Sequence, residues 1–352
     1  MKKIKVLVVD DSALMRQFIS DILKSDSAID VIGSAKDGAE AVKTVKAMKP
    51  DVVTMDVEMP VMDGLQALST IMRECPVPVV MLSALTQEAA ETTMKALAYG
   101  AVDFIGKPSG SISLNIRELS DEIIGKVKAA SVAALRTGVR AAPLRVNPVI
   151  ADRPRITAAL PLRVELVAIA SSTGGPMALS DLLPKLPKNL PVPVVITQHM
   201  PKEFTGSFAR RLNEASKIEV VEGFDGLTLK AGRAVIAPGG KHLVFKRRAG
   251  STVCELSDAP PVLSVKPAAN IMFQSAADEY GGNVLCVILT GMGRDGTDGA
   301  VILKRKGAYV IAESQKTCVV YGMPKAAVEA GIVDEVLALD DIPDAIVRLV
   351  TK

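Results

Sequence analysis

Short β-branched runs alternate with longer amphipathic segments through the first third of the chain. IKVLVV (4–9), DVIGSA (30–35), DVVTM (51–55), VPVVML (77–82) and AVDFI (101–105) read as strands. Segments such as LMRQFISDILKS and GAEAVKTVKAM lie between them with helical spacing. Strands alternating with helix-length segments predict βαβ units around a parallel sheet. Five such units make a doubly wound, flavodoxin-like domain over residues 1–128. Its ligands are expected beyond the C-terminal ends of the strands.

The same alternation returns from residue 163. ELVAIA, VPVVITQ, KIEVV, RAVIAP, VLCVIL and AYVIA are strand candidates. PMALSDLL, KEFTGSFARRLNEA, NIMFQSAADEY, TDGAVILKRK, MPKAAVEAG and DDIPDAIVRLVTK read as helices. HLVFK and TVCELS form a hairpin-like pair over 242–256, an antiparallel patch expected on an otherwise parallel sheet. Residues 163–352 thus predict a second α/β domain with a mostly parallel sheet. Between the domains, 129–162 reads as an extended linker, helical only at its start. Residues 131–164 carry six arginines against one acid, with four prolines.

Composition narrows the class. The chain has 352 residues, 49% hydrophobic and 23% charged, enough to bury sizeable cores. A net charge of +3 gives no argument for nucleic-acid binding. Cys75, Cys254, Cys286 and Cys318 show no metal spacing and read as reduced thiols of a cytoplasmic protein. The opening MKKIKVLVVDDS has too short an apolar run, followed by aspartates, for a signal peptide. No stretch has the roughly 18 apolar residues of a membrane span.

Five polar residues of the first domain fall at strand ends: Asp10, Asp11, Asp56, Ser83 and Lys107. A doubly wound sheet brings these ends to one crevice. Three carboxylates attract Mg²⁺, an oxygen-preferring ion. The ion, a lysine and a hydroxyl around one aspartate would stabilise a transferred phosphoryl group.

VVDDS, MDVEMPVMDG, LSA and GKP at these positions resemble the receiver domain of two-component response regulators. The resemblance implies that Asp56 takes a phosphoryl group from a histidine kinase. It implies Mg²⁺ ligation by Asp11 and Asp56 side chains and the Glu58 backbone carbonyl, with Asp10 acting through water. Ser83 and Lys107 would hold the phosphate. Phe104 would be the switch aromatic, its rotamer following Ser83.

In the second domain three strand-to-helix loops carry the chemistry. AIASSTGGP ends an apolar run in two serines. His199 follows VVITQ and precedes Pro201. VLCVILTGMGRDGTDGA runs into a glycine-rich loop with Asp295 and Asp298. Such a loop at a helix start suits a developing oxyanion. A serine needs a base, and the base an orienting carboxylate, so these loops offer the residue types of a hydrolase triad in the order Ser–His–Asp. His242, in PGGKH, is the other histidine. G-x-S-x-G is absent, because Ala170 holds the first glycine position. Gly291-x-Gly293-x-x-Gly296 matches a dinucleotide fingerprint, but no acid stands in place for the ribose beyond Glu313.

ASSTGGP, ITQHM, APGGKH and TGMGRDG resemble the catalytic domain of the chemotaxis protein-glutamate methylesterases, the CheB family. The resemblance implies Ser172 as nucleophile, with Ser171 a turn residue, His199 as base and Asp295 as orienting acid. Met292 would supply a backbone N–H to the oxyanion, with Thr173 beside the nucleophile. The implied substrates are glutamate γ-methyl esters, and receptor glutamines, on chemoreceptors. The ester chemistry would need no cofactor; the receiver would need Mg²⁺. The implied phosphodonor is the histidine kinase of the chemotaxis system, and the unphosphorylated receiver would cover the active site. The expected molecule is a cytoplasmic monomer, without membrane insertion or nucleic-acid partner. Two rival readings are a DNA-binding response regulator and a receptor-binding scaffold. The output domain is too long, strand-rich and weakly basic for the first, and an intact Ser–His–Asp set argues against the second.

Overall fold

The computed structural model describes residues 3–107, 116–133 and 163–351. Most of the Arg/Pro-rich segment expected as a linker lies outside the described residues.

The first domain runs β1 (Ile4–Val9), α1 (Ala13–Lys24), β2 (Ile29–Ala35), α2 (Gly38–Met48), β3 (Val52–Asp56), α3 (Gly64–Glu74), β4 (Val79–Ser83), α4 (Gln87–Ala98), β5 (Asp103–Gly106) and α5 (Ile116–Ser131). Its five strands are parallel in the order β2-β1-β3-β4-β5. Central strands buried on both faces need unbroken apolar runs, which is what Val6–Val9 and Val79–Leu82 supply. The strand order reverses between β1 and β3. Val9 pairs with Met55 there, so Asp10 and Asp56 leave the sheet side by side. Helix α5 extends past the expected domain end at 128, to Ser131.

The second domain runs β6 (Leu166–Ser171), α6 (Gly175–Leu182), β7 (Val194–Gln198), α7 (Lys202–Ala215), β8 (Glu219–Glu222), β9 (Arg233–Ile236), β10 (His242–Arg248) and β11 (Ser251–Ser257). It continues with α8 (Ala269–Tyr280), β12 (Val284–Ile288), α9 (Thr297–Arg305), β13 (Tyr309–Glu313), α10 (Met323–Glu329), β14 (Glu335–Leu337) and α11 (Ile342–Val350). Seven strands form a parallel sheet in the order β14-β13-β12-β6-β7-β9-β8. The chain builds outward from β6 to one side, then returns to build β12, β13 and β14 on the other. The switch point is therefore at β6.

One expectation is corrected. The hairpin β10–β11 is no patch on the main sheet but a separate two-stranded antiparallel sheet. Its inner face, with Phe245 and Cys254, packs into the core shared with α8, and Phe245 meets Tyr280 edge-on at 6.1 Å. Strand β14 was not expected from the pattern. It is three residues long, with none fully buried, and so leaves no separate apolar run.

The domains touch. Phe104 of β5 lies against Phe204 of α7, ring centroids 4.4 Å apart. The Met292 side chain abuts Gly125 of α5, so closely that a Cβ there would come within 2.8 Å of its Cε. Val319 packs on the core between the receiver sheet and α5. The α4–β5–α5 face of the first domain thus meets the second beside the loop carrying Met292.

Candidate active site

Register aligns the parts. Ser171 pairs with Gln198 across β6–β7, and Ala170 with Ile288 across β6–β12. The next residues, Ser172, His199 and the loop from Leu289, therefore emerge together at the C-terminal edge of the sheet. Backbone bonds tie them: Ser172 N–H donates to Thr290 O at 3.0 Å, and His199 N–H to Ser171 O at 3.1 Å. Ser172 and His199 are each half-buried.

The turn after Ser172 depends on Gly174, which sits at φ 78°. A Cβ there would be strained, and would also come within 2.5 Å of Val319 Cβ. The turn launches α6 with no side-chain cap.

Asp295 is buried beside His199, its Oδ2 2.8 Å from His199 Nε2. The same oxygen accepts the Ala269 N–H at 2.6 Å, and Oδ1 accepts the Asn270 N–H at 3.0 Å. These amides open α8, so the carboxylate caps that helix from another part of the chain. Burial pushes the Asp295 carboxyl up. The His199 hydrogen bond and charge and the two backbone N–H groups outweigh it and hold the carboxyl below its ordinary 3.8. With Nε2 on Asp295, Nδ1 is the ring nitrogen left for proton exchange. Asp298, the other aspartate of the loop, is exposed and pairs with Arg294 at 2.7 Å.

Met292 is exposed, whereas Thr173 is buried, its carbonyl accepting from Thr290 Oγ1 at 2.9 Å. The Gly291 carbonyl accepts from Gly322 and Met323 N–H at 3.1 and 2.9 Å. In a trans peptide the C=O and next N–H point oppositely, so the Met292 N–H faces away from α10. His242 is fully buried; Nδ1 accepts the Ala268 N–H at 3.1 Å and Nε2 donates to Pro260 O at 3.0 Å. It therefore pins the segment leading into α8.

The roles of two buried residues were not visible in the sequence. Gln198 bridges the Ser172 and His199 loops. Glu313 accepts the Thr290 N–H at 2.8 Å and so braces the carbonyl that holds Ser172. The signal was present but weak: each is a polar residue closing an apolar strand run.

In the first domain, Asp10, Asp11 and Asp56 offer carboxylate oxygens all within 4.8 Å of one another. Lys107 Nζ lies 2.8 Å from Asp10 and 2.7 Å from Asp56. Burial raises the Asp56 carboxyl above its ordinary value, with Lys107 opposing. Burial would lower the Lys107 ammonium, but hydrogen bonds to the two aspartates leave it raised. Ser83 is buried and accepts from Thr93 Oγ1 at 2.7 Å. Glu58 is exposed, two residues past Asp56. An all-oxygen set of three carboxylates fits Mg²⁺.

Fold and sites together define a response regulator whose output domain has the constellation of a serine hydrolase. The response regulator receiver domain family matches residues 6–117, and the family described as CheB methylesterase matches 167–346. The protein-glutamate methylesterase/protein-glutamine glutaminase of Pyrococcus abyssi is 49% identical over 99% of this chain and 94% of its own. That of Geobacillus kaustophilus is 50% identical, covering 99% of both chains. The crystal structure of the Thermotoga maritima CheB methylesterase catalytic domain is similar with a TM-score of 0.52 and 44% identity. It covers 53% of this chain and 100% of that one. The chain belongs to the CheB methylesterase family.

Proposed function

We infer that this protein is a phosphorylation-regulated hydrolase that removes γ-methyl esters from chemoreceptor glutamates, releasing methanol, and deamidates receptor glutamines. The observation that carries this is the 2.8 Å His199–Asp295 pair at the strand end beside Ser172. Ser172 Oγ attacks the ester carbonyl as His199 Nδ1 takes its proton. Asp295 stabilises the imidazolium and fixes its tautomer. The Met292 N–H, with Thr173 beside the nucleophile, serves the oxyanion; losing one such donor costs on the order of 10²–10³ in rate. His199 returns the proton to the leaving methoxide. It then takes a proton from water, which attacks the acyl-Ser172 carbonyl, and returns it to Ser172 as the glutamate is freed. A glutamine follows the same path, with ammonia leaving.

The receiver supplies control. An Asp56 carboxylate oxygen attacks the phosphorus of a kinase phosphohistidine and the histidine nitrogen leaves. Asp11, Asp56 and the Glu58 carbonyl would hold Mg²⁺, with Asp10 acting through water. When bound, the ion neutralises charge on the transferred group. Lys107 and Ser83 hold the phosphoryl oxygens, and Phe104 follows Ser83. The contacts of Phe104 and Gly125 with the catalytic domain support a covered resting state that phosphorylation opens. No helix among the described residues is long and apolar enough to cross a membrane.

The test is methanol release from a methylated receptor fragment, with and without acetyl phosphate and Mg²⁺. Release that rises with the phosphodonor is expected. No release in either condition overturns the esterase reading. Deleting residues 1–160 should raise basal release; a folded fragment with equal or lower activity would sink control by occlusion.

A further inference from the structure

Ser171 is fully buried directly before Ser172, and the triad gives it no role. Its hydroxyl donates to Gln198 Oε1 at 2.7 Å. Gln198, 2% exposed, uses both hydrogens of its Nε2: one goes to the Ser172 carbonyl at 3.1 Å, the other to the His199 carbonyl at 2.9 Å. One amide therefore ties the backbone of the nucleophile to the backbone of the base. An amide can flip end for end, which would point Oε1 at two carbonyls. The two carbonyls oppose that flip, and the Ser171 hydroxyl, whose acceptor among the described residues is Oε1, opposes it further.

The surroundings are shaped around this pair. A Cβ on Gly175 would fall 2.0 Å from Gln198 Oε1 and 2.9 Å from Ser171 Oγ. Gly175 itself donates to the Ser172 carbonyl at 2.7 Å, so that oxygen is held from two sides. All three residues are buried, where a satisfied amide fixes geometry and an unsatisfied one is costly.

We propose that Gln198 is a positioning residue of this hydrolase, clamping the Ser172 main chain to the His199 main chain, and that Ser171 is the hydroxyl that holds its amide orientation. The inference rests on the Ser–His–Asp reading above. Neither residue touches substrate, so their loss lowers kcat and leaves KM in place. A shift of about 1 Å between nucleophile and base costs on the order of 10²-fold.

The experiment uses the full chain, activated with acetyl phosphate and Mg²⁺, on methylated receptor fragment. Wild type and Ser172→Ala are measured first: a dead Ser172→Ala upholds the triad, and an active one removes the triad reading itself. Gln198→Met keeps the volume and removes every hydrogen bond; its kcat should fall about 100-fold with KM within about twofold. Ser171→Ala should lower kcat about fivefold, one hydrogen bond's worth. The double variant should match Gln198→Met alone, because the serine acts only through the amide. Titration with a serine-directed fluorophosphonate should count every folded molecule, separating slow sites from lost ones. If Gln198→Met fails to fold, Ser171→Ala and its kcat–KM split carry the test alone. Wild-type kcat in either folded variant, a loss confined to KM, or a loss matched by missing titratable sites would overturn the proposal.

Discussion

Both domains place their chemistry at the C-terminal edge of a parallel sheet, yet they equip that edge in opposite ways. In the receiver, Ser12, Asp37, Asp63 and Thr86 cap α1 to α4 with side-chain oxygens, and the crevice holds Asp10, Asp56 and Lys107 as neighbouring charges. In the catalytic domain, α6 and α9 start from Gly174 and Gly296 at positive φ, without side-chain caps. Its buried carboxylate, Asp295, is neutralised against one imidazole and a helix start. The difference follows from the group each edge must handle. A phosphoryl group arrives with its charge and needs a lysine and a cation. An ester arrives neutral and develops one negative charge, which backbone N–H groups can meet without a standing charge to desolvate.

The comparison breaks most sharply with one variant per edge. Ser172→Ala should lower methanol release by on the order of 10⁶ while leaving acetyl phosphate labelling of the receiver intact. Loss of labelling as well would mean the two edges are not separable.

Asp295→Asn is the next largest effect, about 10⁴-fold in kcat, because the histidine loses its orienting charge. It also tests stability. The folded Asp295 carboxyl is depressed, so its contribution is present above the ordinary 3.8 and is lost as pH falls through the lower folded value. Wild type should therefore melt higher than the variant at pH 6, with the gap closing below pH 3.8. A gap independent of pH would assign the loss to packing.

Asp56 has the opposite sign. Its carboxyl is raised, so stability is full below the ordinary 3.8 and declines as pH rises through the folded value. Asp56→Asn should melt higher than wild type at pH 7, refuse the phosphoryl label, and lose the stabilisation that Mg²⁺ gives wild type. A lower Tm at pH 7 would show that the Lys107 pair outweighs burial.

Much of this was legible because it is local. Strand ends in parallel sheets announce themselves where an apolar run meets Asp, Ser or Gly, which is how Asp56, His199 and the loops carrying Ser171, Ser172, Asp295 and Asp298 were singled out; the resemblance to the CheB family then pointed to Ser172 and Asp295. Gln198 was not singled out, because its function lies in the register that sets Ser171 opposite it, and register between β6 and β7 leaves no mark in either run. The hairpin read correctly as antiparallel, but its attachment did not. Which core it closes depends on α8, downstream. Phe104 against Phe204 is likewise a contact between two separately folded patterns.

The smallest effect expected concerns the line where the two edges meet. Arg210 of α7 and Glu91 of α4 pair across the domains at 3.5 Å, with both side chains more than half exposed. Such a pair is worth about 0–1 kcal/mol, because water screens it and two long side chains must be ordered to make it. The closed-to-open ratio of the resting enzyme can then change at most about fivefold on its loss. Arg210→Ala should raise unphosphorylated methanol release by no more than that, and about 0.5 M salt should erase the difference by screening the pair in wild type. A larger rise that salt abolishes would show that the domains are held by the α4–α7 charges rather than by the buried contacts of Phe104, Met292 and Val319.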